Sequence, residues 1–186
     1  MNALAITLIF VSLSGCASML PSSKQDDSNK WRSFEEAKLS YDQITPYSTD
    51  IEAACKLGFD PFKTPNTQIL NYSQVVRAVL PSPILELTMI PQGIIDCIDA
   101  NEGCVGYLVE LSRINRKRVG NFMLDFMNFK RDTTTSGWKL SALIVVINNK
   151  VVYKQWSGSP QIEQNELRRN PLGPFRGLGE SYTGLP

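Results

Sequence analysis

Two apolar runs that nearly touch constrain the fold more than any other stretch: residues 138–147 (WKLSALIVVI) and 151–156 (VVYKQW), joined by Asn148-Asn149-Lys150. β-Branched and aromatic side chains suit a pleated, half-buried surface. Asparagine tolerates the positive backbone angles that a tight hairpin turn demands. An antiparallel strand pair is therefore expected here. Further strands are expected over 104–114, where Val105, Tyr107, Val109 and Leu111 alternate, and over 67–72 (TQILNY).

Helical signals precede and separate these strands. Ser33-Phe34-Glu35-Glu36 has the form of a capping box, and Phe34, Ala37 and Tyr41 then recur at helical spacing, so a helix is expected from Ser33 to about Gln43. Thr49-Asp50-Ile51-Glu52 repeats the capping logic. Ile51, Ala54 and Cys55 then share a face, and Gly58 can adopt the left-handed stop conformation without a steric penalty. Residues 73–80 (SQVVRAVL) read as a helix stopped by Pro81, and 91–98 as a short helix opened by Pro91. The expected class is α+β, with an N-terminal helix pair packed on a small antiparallel sheet that ends in a β-hairpin.

The chain has 19 Lys plus Arg against 18 Asp plus Glu, a balance that offers no global field to nucleic acid, which is not an expected partner. Histidine is absent, which removes the commonest general base and metal ligand and with them Ser-His-Asp and Cys-His mechanisms. Asp96 with Asp99 and Glu35 with Glu36 are the close acid pairs. Helix-end electrostatics or plain solvation accounts for them better than acid-base catalysis, since nothing nearby in sequence would split their pKa values. The expectation is no enzyme, no cofactor and no metal. The alternative is a lipid-anchored periplasmic hydrolase that works without histidine through Asp, Glu, Lys or Ser, such as Asp96, Asp99, Glu102 or Glu110.

Residues 3–13 (ALAITLIFVSL) form an apolar run of signal-peptide length, too short to span a bilayer as a helix. Leu13-Ser14-Gly15-Cys16 follows directly and resembles the lipobox of bacterial lipoproteins. That resemblance implies cleavage before Cys16, a diacylglycerol on its sulfur and fatty chains such as palmitate on the freed amine. Two or three chains together make a durable anchor. In proteobacterial lipoproteins an Asp after the cysteine favours inner-membrane retention. Ala17 stands there instead, so the resemblance implies the periplasmic face of the outer membrane. The expected organisation is a signal peptide (1–15), a lipidated flexible tether (16–32), a single α+β domain (33–160) and an irregular Pro/Gly-rich tail (161–186).

The capped helix, Ile44, the turn into Ser48-Thr49, the second helix and the exit Lys56-Leu57-Gly58-Phe59-Asp60-Pro61 resemble the opening of the small lipoprotein subunit of the β-barrel assembly machinery. In that family two helices pack on a three-stranded antiparallel sheet, and the protein supports outer-membrane protein insertion and envelope integrity. The resemblance implies an accessory role beside an envelope protein partner.

Cys97 and Cys104 enclose a short polar loop with a glycine, consistent with a disulfide between a helix end and a strand start, at about 2 to 3 kcal/mol. The spacing is not that of a Cys-x-x-Cys redox or metal pair. Cys55, on the apolar face of its helix, reads as a buried thiol. Residues 121–129 (NFMLDFMNF) are flanked by Arg113, Arg116, Lys117 and Arg118 and by Lys130 and Arg131. Read as a helix, Phe122, Met123, Phe126 and Met127 cluster. That cluster suits core packing with a solvated basic rim, or an interfacial surface that meets a membrane or a partner.

Overall fold

The computed structural model describes residues 20–27, 30–80 and 90–171. In chain order these form β1 (Ser22–Asp26), α1 (Phe34–Asp42), α2 (Ile51–Leu57), β2 (Thr67–Asn71), α3 (Tyr72–Val79), α4 (Gln92–Ala100), a 3-10 turn (Asn101–Gly103), β3 (Cys104–Val119), α5 (Phe122–Phe126), β4 (Lys130–Ile147) and β5 (Lys150–Arg169). The sheet runs β1-β3-β4-β5, and β2 also pairs with β3. The β2 pairing is antiparallel, with Thr67 opposite Val109 and Leu70 opposite Gly106. The class is α+β, as the sequence predicts. Helices also follow the first pair, so they are not confined to the amino-terminal part.

Local signals in the sequence explain most of these boundaries. Ser33 Oγ accepts from Glu36 N at 3.3 Å, while Glu36 Oε2 accepts from Arg32 N at 2.8 Å, which satisfies amides that have no partner inside α1. Asp50 does the same for α2, accepting from Ala53 N at 2.7 Å, and Gly58 ends that helix at φ 110°. Asn71 and Gln74 form a reciprocal capping box at the start of α3. Asn148 and Asn149 take φ of 47° and 66°, the twist that lets β4 return directly as β5.

The chain divides into two compact units, where the sequence suggests one domain over 33–160. The larger comprises Gln25–Ile114 and Gly137–Ile162, and its sheet is buried on both faces. Alternate β4 residues Leu140, Ala142, Ile144 and Val146 join Phe34, Ala37 and Tyr41 of α1 and Ala54 of α2 in one core cluster. The intervening Leu143 and Val145 join Val75 of α3 and Ile94 and Cys97 of α4 in a second. Period-two alternation thus supplies two cores from one strand. A fully buried side chain such as Ile144 contributes about 1.5 to 3 kcal/mol by leaving water.

The smaller unit comprises Met1–Lys24, Asn115–Ser136 and Glu163–Pro186. Among its described residues only Leu20 and Asp125 are buried. Two expectations are corrected by these segments. Residues 22–26, assigned to a flexible tether, form β1, and residues 161–169, assigned to an irregular tail, continue β5. Both are exposed, so ladder hydrogen bonds rather than burial hold them extended, and a reading based on apolar alternation has nothing there to detect. The expected signal peptide, Cys16 and the tail beyond residue 171 lie outside the described residues.

Candidate functional site

In the smaller unit, period-two alternation brings charge rather than apolar bulk to one sheet face. Arg116 and Arg118 from β3, Arg131 and Thr133 from β4, and Glu166 and Arg168 from β5 line a cavity of about 370 Å³ together with Pro21, Ser22 and Ser23. Arg118 is itself held from both sides. Its backbone N donates to Pro21 O at 3.2 Å, and its Nη1 donates to Asp125 Oδ1 at 2.9 Å. Glu166 and Asp125 offset two of the four guanidinium charges, so positive charge remains in excess. Asp125 Oδ2 and Arg131 Nε are buried and make no hydrogen bond among the described residues.

The Asp125 ion pair pins α5 beside this cavity. Asn121 caps the helix by accepting from Leu124 N at 3.2 Å, and Asn128, at φ 58°, reverses the chain so that Phe129 N reaches Leu124 O at 2.9 Å. Asn170 N then donates to Phe129 O at 2.9 Å, tying β5 to the same turn. With Asp125 directed inward, the apolar side chains face out: Phe126 is 70% exposed, Met123 59% and Met127 36%. Phe122 is half-buried and stacks on Phe126 at 5.8 Å between ring centroids. The core-packing alternative for this cluster does not hold, because the one buried position of this five-residue helix is Asp125, while Met123, Phe126 and Met127 stand exposed and Phe122 is only half-buried. Of the sequence-based candidates, Phe122, Met123, Phe126 and Met127 thus stand together beside Arg118.

Burial was the wrong guide to the rest of the site. Arg168, Glu166 and Ser22 went unnoticed because they fall in segments read as tail and tether. The alternation that could have found them is Arg-x-Arg in β3, Arg-x-Thr in β4 and Glu-x-Arg in β5.

The other sequence candidates sit in the larger unit. Cys97 and Cys104 form a disulfide with Cα atoms 5.1 Å apart, closing the link from α4 to β3. Cys55 is free and half-buried rather than buried, and desolvation pushes its thiol upward, with the Asp60 charge adding to the effect. It borders a second cavity, of about 270 Å³, shared with Trp31, Gly58 and Asp60. Among the described residues no group of three or more His, Cys, Asp or Glu side chains is placed to hold a metal, and no helix is long and apolar enough to cross a membrane.

Asp96 is tied into a structural contact. It accepts from the Tyr47 hydroxyl at 2.6 Å and from Gln92 Nε2 at 2.7 Å. These bonds, that from Tyr47 first, hold its carboxyl below the usual range, and the same bond pushes the Tyr47 hydroxyl up to about 12. The depressed Asp96 contributes stability above the unfolded carboxylate pKa and loses it as pH falls through the lower folded value. The raised tyrosine contributes below its unfolded value near 10 and loses that contribution as pH rises through about 12. Tyr47→Phe should therefore cost up to about 1 kcal/mol at neutral pH, the site being exposed, with the gap to the natural protein narrowing in acid. Urea titrations of both proteins from neutral to strongly acid pH check this; a gap independent of pH would refute the assignment.

Comparison with known proteins gives no match to a family model, to a curated protein or to a solved structure.

Proposed function

We propose that the chain is a lipid-anchored envelope lipoprotein. In this reading it acts as a non-catalytic interaction module at the periplasmic face of the outer membrane. The observation that carries this reading is where the exposed apolar helix lies. The unit that includes α5 and the arginine-lined cavity also holds Leu20, and only residues 17–19 separate Leu20 from the lipobox cysteine. At about 3.5 Å per residue those links span at most ~14 Å, so acyl chains on Cys16 would keep this unit at the bilayer surface. Basic residues beside exposed Phe and Met are the composition of a surface that rests in a headgroup layer.

A service to outer-membrane assembly or integrity, beside an envelope protein partner, draws its support from the likeness of residues 33–61 to the small assembly-machinery lipoprotein. The mature amino terminus decides the anchoring. Mass spectrometry of the membrane-extracted protein is expected to find Cys16 as the first residue, carrying a diacylglyceryl thioether and an amide-linked acyl chain. Cys16→Ser should move most of the protein out of the membrane fraction or leave it unprocessed. A product that begins at Met1 and stays in the cytosol would sink the reading. For the accessory role, cross-linking in intact envelopes should recover the same partner repeatedly, and recovery of none across several mild detergents would count against it.

A further inference from the structure

We infer that the cavity lined by Arg116, Arg118, Arg131 and Arg168 takes the phosphate of an anionic phospholipid headgroup, with Met123 and Phe126 of α5 lying in the acyl boundary beside it. The inference deepens the proposed membrane-surface reading and rests on it. Guanidinium groups present planar forks that match phosphate oxygens in pairs, and a set drawn from three adjacent strands can approach one anion from several sides. The hydroxyls of Ser22, Ser23 and Thr133 add neutral donors for the remaining lone pairs.

Two details favour an occupant over a merely solvated basic face. Arg131 Nε is buried without a hydrogen-bond partner among the described residues, a condition that folded proteins seldom tolerate without a ligand or water to relieve it. The cavity, at about 370 Å³, is also within the size range of small-ligand sites and ample for a headgroup. Glu166, which also lines it, would accept from a headgroup hydroxyl and would oppose a multiply charged anion. The neighbouring exposed phenylalanine and methionine select a phosphate that carries hydrocarbon over a free one.

The test is a titration of the full chain, purified in nonionic detergent, read by native mass spectrometry. The probes are dihexanoyl phosphatidylglycerol, dihexanoyl phosphatidylcholine, inorganic phosphate and an acidic hexapeptide. One saturable site for phosphatidylglycerol is expected, on the order of tenfold tighter than for phosphatidylcholine, whose fixed cation would meet the arginines. Arg116→Gln with Arg131→Gln should weaken it by on the order of tenfold or more, with an unchanged melting temperature as the check on folding. If that pair lowers the melting temperature, the single change Arg168→Gln, at an exposed residue, replaces it. Phe126→Ser should weaken the lipid and leave inorganic phosphate unaffected. Equal binding of the two lipids, or undiminished binding by the arginine variants, overturns the inference. So does inorganic phosphate or the peptide binding as tightly as phosphatidylglycerol. A chain found unprocessed at Cys16 would defeat the anchoring proposal instead, and this binding would still be measurable.

Discussion

Gly93→Val is expected to destabilise the larger unit by about 3 to 5 kcal/mol, combining the strain of overpacking with the burial lost when a helix lifts from its sheet. Gly93 lies in the first turn of α4, where the helix backbone comes so close to β5 that a Cβ atom would stand 2.2 Å from Val152 O and 2.8 Å from its carbonyl carbon. A long side chain can swing aside, but a strand carbonyl cannot, because β5 is fixed to β4 by the hairpin at Asn148-Asn149. The helix must move instead, and it carries Ile94 and Cys97, both fully buried in the second core cluster. Gly93→Ala should fall between the natural protein and Gly93→Val. Urea unfolding followed by far-ultraviolet circular dichroism gives the series, and a Gly93→Val protein as stable as the natural one would show that α4 is not seated on β5 in this way.

Opening the Cys97–Cys104 disulfide is the second large effect, expected to lower stability by about 2 to 3 kcal/mol through the freedom returned to the unfolded chain. The two cysteines are 7 residues apart, so the closed loop is short and the entropic term sits near the lower part of the usual range. Both are fully buried, so a reductant added to the folded protein should act slowly and mainly through transient opening. Replacing both by alanine adds a packing loss at the end of α4. For a chain of this size, opening the bridge corresponds to roughly 4 to 12 °C in melting temperature. Calorimetry with and without reductant measures it. An unshifted transition in the double-alanine variant would mean that α4 and β3 hold each other without the bridge.

What was legible in the sequence follows from how each element is held. Ser33, Asp50 and Gly58 announce helix ends because capping is a matter of a few neighbouring atoms, and each performs that task in the structure. Asn148 and Asn149 announce the hairpin for the same reason. Leu140 to Val146 were recognisable as strand because they are apolar, though not that both faces would be covered. By contrast β5 continues through Ser157, Gly158, Pro160 and Asn165, residues with low strand preference and no burial. Their conformation is imposed by pairing with a neighbour distant in sequence. The candidate site inherits both situations. Its apolar cluster at Phe122, Met123, Phe126 and Met127 was visible, but whether it faced inward depended on Asp125 meeting Arg118, and Arg168 reaches the cavity only because β5 extends so far.

The free cysteine on α2 has a chemical consequence for the bridge on α4. A free thiol among the same described residues as a disulfide is a standing invitation to mispairing, since exchange begins when a thiolate attacks a sulfur. Desolvation keeps Cys55 in its protonated, weakly nucleophilic form near neutrality, and Cys97 and Cys104 are shielded in a separate core cluster. In oxidising surroundings exchange between this thiol and the bridge is therefore disfavoured for as long as the chain stays folded.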